Sequence, residues 1–130
     1  MRPKILIVSA NYYKKITKKL IFGADSILSK KTKCKFILVP GVFEIPVVIA
    51  KNMKKYDGFI ALGCVIKGQT PHFEFISSAT TNAIMELSIN NKKPVGNGII
   101  TCLSMNQAVT RSALKGQEAA KAVLSVLGSK

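Results

Sequence analysis

The chain has 130 residues, 48% of them apolar, and carries 20 Lys and Arg against 6 acids, for a net charge of +14. A mean hydropathy of +0.25 excludes intrinsic disorder, and the length suffices for a hydrophobic core without disulfides or metals. No apolar run approaches the ~18 residues that a membrane span needs, and the short run after Met1-Arg2-Pro3-Lys4 is too brief for a signal-peptide core. The expectation is a cytosolic globular domain occupying residues 1–130.

The positive charge attracts nucleic acid, phosphorylated metabolites and anionic surfaces alike, so it names a class of partner only. Solvated Lys at exposed helix positions is the plainer account. The Lys pairs at 14–15, 18–19, 30–31, 54–55 and 92–93 are dispersed and not interleaved with aromatics, which argues against a nucleic-acid surface. Cys34, Cys64 and Cys102 are odd in number, widely spaced and accompanied by one histidine. That excludes a disulfide framework and a zinc site.

Short apolar runs alternate with helix-length amphipathic stretches. Lys4–Ser9 reads as a buried strand, and residues 12–30 as a helix with Ile16, Leu20, Ala24, Ile27 and Leu28 inward. Lys35–Val39 is a second strand, ended by Pro40-Gly41, and residues 45–55 a second helix. Asp57–Val65 is a third strand. Thr70-Pro71 offers an N-cap followed by proline at the first helical position, opening a helix to about Asn90. Its inward face is Ile76, Ala79 or Thr80, Ala83 and Leu87. Residues 95–101 form a fourth strand, and 106–113 and 117–127 two closing helices. Such alternation implies a parallel sheet with helices on both faces. The predicted fold is a three-layer α/β/α sandwich around a four-stranded parallel sheet.

Ligands of open parallel sheets sit beyond the carboxyl ends of the strands. That places Ala10–Tyr13, Gly41–Glu44 and Val65–His72 at the site. Gly63-Cys-Val-Ile-Lys-Gly68-Gln69-Thr70 has the glycines of a P-loop, but Gln69 stands where the lysine must be, so that reading is rejected. What remains is a glycine turn before a helix, either an anion site or an ordinary capped turn. His72, the only histidine, follows it. An imidazole exchanges protons near neutral pH, so His72 is either a proton shuttle or a structural residue. Phe43 is core or a stacking platform, and Glu44 binds a ligand or its own backbone.

Gly41-Val-Phe-Glu-Ile-Pro46, Ala61-Leu-Gly-Cys-Val-Ile-Lys-Gly-Gln-Thr-Pro-His-Phe-Glu74 and Pro94-Val-Gly-Asn-Gly-Ile-Ile-Thr101 together resemble the 6,7-dimethyl-8-ribityllumazine synthase family. The likeness runs in order from the first strand to the last helix. It implies a flavodoxin-like fold and a transferase of riboflavin biosynthesis. Such an enzyme joins 5-amino-6-(D-ribitylamino)uracil to 3,4-dihydroxy-2-butanone 4-phosphate, releasing phosphate and water. No cofactor and no metal are implied, because proximity and a weak base suffice.

By motif, the resemblance makes His72 the proton-transfer residue and sets Tyr12 against the pyrimidine ring. Val42, Phe43 and Glu44 would contact the ribityl chain and ring, and Cys64, Val65 and Ile66 would line the pyrimidine pocket. Gln69 and Thr70 would meet the phosphate, with Arg111 and Lys115 as basic partners. Asn97 lies at the start of the last strand, about five residues or ~16 Å from the loops at its far end. The resemblance has Asn97, Arg111 and Lys115 come from a neighbouring subunit of a homopentamer, so sites are shared between adjacent copies. Small-molecule substrates are the implied partners, with neither nucleic acid nor membrane.

The chain departs from the family pattern at Tyr12-Tyr13, where Phe-Asn is common, and at Asn97, where Phe is common. The turn between Arg111 and Lys115 is also short. A non-catalytic lumazine- or flavin-binding paralogue is the rival reading, and a receiver domain is excluded because Ser9-Ala10-Asn11 offers no acidic cluster.

Overall fold

The computed structural model describes residues 2–69 and 72–128. In chain order it comprises β1 (Lys4–Ala10), α1 (Lys14–Leu28), β2 (Lys33–Val39), a 3-10 turn (Val42–Glu44), α2 (Ile45–Lys51), β3 (Gly58–Ile66), α3 (Phe73–Asn91), β4 (Val95–Cys102) and α4 (Met105–Leu127). The strands form one sheet in the order β2-β1-β3-β4, and every pairing is parallel. Lys4 stands opposite Lys33, Ile5 opposite Gly58 and Phe59 opposite Val95.

Alternation along the strands builds two cores. Ile5 and Ile7 of β1 join Ile60, Leu62, Cys64 and Ile66 of β3 beneath α1 and α4. Leu6, Val8, Phe59, Ala61 and Val65 face the other way, with Ile45 and Ile49 of α2 and Ile84 of α3. All nine residues of β3 are buried, which is why the sequence reads there as an unbroken apolar run and not as alternation. This is the three-layer α/β/α sandwich expected.

Several boundaries differ from the sequence reading. The stretch expected as two closing helices is one continuous helix, α4, running through Gly116. A glycine at that point reads as a break, yet here its missing side chain lets α1 approach: a Cβ on Gly116 would strike the Leu20 carbonyl, and one on Gly23 that of Ala113. Helix α1 starts at Lys14, leaving Tyr12 and Tyr13 in the preceding turn. Helix α2 stops at Lys51, with residues 52–55 in turns. Thr70 and Pro71, read as cap and first helical residue, lie outside the described residues; α3 begins at Phe73 behind His72. Its inward face includes Thr80 and Ile84, whereas Ala79 is exposed.

Candidate functional site

The carboxyl ends of β1, β2 and β3 meet at one edge of the sheet, and three short segments are held there. After β1, the Asn11 N–H donates to the Val39 carbonyl over 2.8 Å, and the Thr17 hydroxyl donates to the Ala10 carbonyl over 2.6 Å. These bonds fix the turn that presents Tyr12. Tyr12 is 68% exposed, and its ring packs edge-to-face on Tyr13 with centroids 4.8 Å apart.

After β2, the Gly41 N–H donates to Glu44 Oε1 over 2.9 Å, and the Glu44 N–H returns to the Gly41 carbonyl over 3.2 Å. The Glu44 carboxylate thus closes its own turn, as one of the two sequence readings had it. The closed turn buries Val42 and leaves Phe43 64% exposed. After β3, the Gln69 N–H donates to the Ile66 carbonyl over 3.2 Å, and Gly68 has φ +85°. A residue with φ near +80° at the third place of such a turn is the position that glycine fills without strain.

Between these segments lies a cavity of about 290 Å³, walled by Tyr12, Tyr13, Val42, Phe43, Cys64, Val65 and Ile76, with Gly41, Glu44 and Gln69 at its margin. Cys64 and Val65 point to opposite faces of the sheet, so the cavity straddles the end of β3. A second, more open cleft of about 450 Å³ adjoins it, lined by Lys67, Gly68, Gln69, His72, Phe73, Glu74 and Phe75. Gln69 borders both. His72 lies in this cleft, its ring centroid 6.4 Å from that of Phe75.

The structure therefore gathers Tyr12, Val42, Phe43, Glu44, Cys64, Val65 and Gln69 around one cavity and sets His72 in the next. Ile66 is 1% exposed and belongs to the core under α1 and α4, away from the cavity wall. Thr70 lies outside the described residues. Asn97 pairs with Ala61 and takes the Ile99 N–H on its Oδ1 over 3.0 Å. It lines a separate groove of about 180 Å³ between α3 and α4, toward the amino end of β4. Arg111 reaches the far end of β4 from α4, where Nη1 approaches the Thr101 carbonyl at 3.4 Å and Cys102 Sγ at 3.6 Å. Lys115 is half-buried one helical turn further on. Neither residue lines the two cavities.

The sequence places Tyr13 and Gly41 in the segments at the site without giving either a role, and it reads Ile76 as core alone; all three line the cavity. The spacing held the signal for Ile76: it follows His72 by four residues, one helical turn.

Burial above all, and the neighbouring Cys102, push the Cys64 thiol up to about 12 against the opposing effect of Arg111. Cys64 is thus a neutral, soft wall and not a nucleophile. Among the described residues no group of three or more His, Cys, Asp or Glu is placed to hold a metal ion, and no helix is long and apolar enough to cross a membrane. A mostly apolar cavity with Tyr12, Tyr13 and Phe43 in its wall suits a planar heterocycle, and the adjoining cleft offers an imidazole for proton transfer.

Comparison with known proteins is consistent with this arrangement. A solved structure described as a split-gene transketolase in an inactive tetramer superposes with a TM-score of 0.59 at 13% identity. It covers 97% of this chain, which spans 41% of that one, and the likeness shows the fold alone. Among curated relatives, the 6,7-dimethyl-8-ribityllumazine synthase of Bartonella tribocorum is 41% identical, across 99% of this chain and 91% of its own length. The enzymes of the same name from Bartonella henselae and Methylorubrum populi are 42% and 37% identical, across 97% and 98% of this chain and 87% and 82% of their own. The sequence profile described as 6,7-dimethyl-8-ribityllumazine synthase matches residues 2–130, and the chain belongs to that family.

Proposed function

We propose that the cavity beside Tyr12 holds 5-amino-6-(D-ribitylamino)uracil and that the adjoining cleft holds 3,4-dihydroxy-2-butanone 4-phosphate. The chain condenses the two to 6,7-dimethyl-8-ribityllumazine, the reaction of its family. The observation that carries the assignment is Gln69, which borders both cavities, so the two substrates meet across one residue.

The chemistry asks little of the protein. The substrate's amine adds to the ketone and loses one water to give an imine, phosphate leaves by elimination, and ring closure expels a second water. Juxtaposition supplies much of the acceleration, and His72 moves protons between the reacting atoms. Tyr12 and Phe43 sandwich the ring, while main-chain groups of Val42, Cys64 and Val65 read its polar edge.

Asn97, Arg111 and Lys115 line neither cavity of their own chain, which supports their supply by an adjacent copy in a homopentamer. Three free thiols suit a reducing compartment, and we assign the enzyme to the cytoplasm without need of a cofactor.

The test is to mix purified protein with both substrates and follow lumazine fluorescence. Turnover well above the spontaneous rate is expected. Lumazine binding without turnover would instead identify a binding paralogue, and neither binding nor turnover would overturn the assignment.

A further inference from the structure

We propose that Lys67 is the cation this chain itself supplies to the phosphate group of the second substrate; the inference rests on the assignment of the two cavities above.

Its position is fixed from both sides. The Lys67 N–H donates to the Cys102 carbonyl over 2.9 Å, which ties the residue to the end of β4. On its other side, the Gln69 N–H closes on the Ile66 carbonyl, with Gly68 at φ +85°. Lys67 is thus the second residue of a tight turn whose geometry requires glycine next to it. The backbone is held and the side chain is exposed.

The cleft this turn borders has one lysine or arginine and one carboxylate among its lining residues, Lys67 and Glu74. A phosphate ester entering it meets the Glu74 charge, so a cation inside the same cleft is needed to offset that repulsion. Arg111 and Lys115 approach from α4 and are not part of its lining. Among the described residues the Lys67 Nζ has no hydrogen-bond partner, which leaves donors for an incoming oxyanion. The arrangement also sets polarity. With phosphate at the turn of Lys67 and Gln69, the rest of the substrate extends toward the ring cavity, which Gln69 also borders.

The experiment compares wild type, Lys67→Ala and Lys67→Arg in two measurements. In steady-state turnover, Lys67→Ala should raise KM for the butanone phosphate about ten- to hundredfold, the worth of one charge-assisted hydrogen bond. KM for the ribitylaminouracil should stay within about twofold, and Lys67→Arg should recover most of the loss. In calorimetry with inorganic phosphate, the alanine variant should lose binding by a similar factor.

Unchanged phosphate affinity in Lys67→Ala would overturn the proposal. So would equal losses for both substrates without recovery by arginine, since that pattern marks a damaged turn. The calorimetric measurement needs no turnover. An inactive wild type that still binds phosphate through Lys67 would count against the assigned reaction and leave the phosphate site standing.

Discussion

The Thr17 hydroxyl donates to the Ala10 carbonyl across 2.6 Å, joining the first turn of α1 to the last residue of β1. Both residues are buried, and Tyr12 and Tyr13 lie in the loop the bond closes. Thr17→Val keeps the shape and removes the donor, leaving a buried carbonyl one partner short. The expected cost is about 1–3 kcal/mol, read as a lower urea midpoint. The Tyr12 ring loses its fixed pose as well, so KM for the ring substrate should rise while that for the phosphorylated substrate holds. Equal changes in both would show that Thr17 serves the fold alone.

The packing of α1 on α4 gives a second expectation. Gly→Ala within a helix ordinarily gains up to ~1 kcal/mol of helix propensity. At Gly116 the new methyl would meet the Leu20 carbonyl, a backbone atom that cannot swing aside. Overpacking of that kind costs about 1–3 kcal/mol or more, so it outweighs the gain. Gly116→Ala should lower the denaturation midpoint. A higher midpoint would mean that the helices separate without penalty.

The same glycine shows where the sequence stopped being legible. The strands were readable because each is an apolar run bounded by Pro, Gly or charge, and their carboxyl ends located the loops with Tyr12, Phe43 and Gln69. Gly116 was not readable, because a helix breaker and a helix-contact glycine have one spelling. Only the partner, Leu20, tells them apart, and it lies 96 positions away along the chain. Helix α3 was only half legible for a related reason. It leaves Phe75, Met85 and Ile89 exposed, so apolar residues occur all round it and the inward stripe blurs. At the site, a motif treats Cys64, Val65 and Ile66 as equals, while alternation along β3 and the depth of the core decide which of them reach the cavity.

Cys64 gives a prediction in pH. Its thiol is raised from 9.0 to about 12, chiefly by burial, so the folded chain holds the neutral form while the unfolded chain ionises near 9. The stabilisation this represents is complete below pH 9 and is lost as pH rises toward 12. The half-buried Cys34, raised to about 11, adds a contribution of the same sign. The unfolding free energy of wild type should therefore fall between pH 9 and 11 more steeply than that of Cys64→Ala. The difference in slope is up to about 1 kcal/mol per pH unit. Parallel slopes would show that Cys64 ionises in the folded chain as freely as in the unfolded one.

His72 bears on how the enzyme accelerates its reaction at all. If the two cavities act mainly by holding the substrates side by side, the gain is largely entropic and survives the loss of a proton carrier. General acid–base catalysis by one side chain is worth ~10²–10⁴ in rate, and water in so open a cleft can take over part of that work. His72→Ala should therefore reduce kcat by about a hundredfold at most, leave both KM values nearly unchanged, and respond to added imidazole, which fits the space vacated beside Phe75. A fall to the spontaneous rate would assign nearly all of the acceleration to proton transfer and remove juxtaposition as its principal source. A rise in KM for the phosphorylated substrate would instead make His72 a binding residue of the Lys67 cleft.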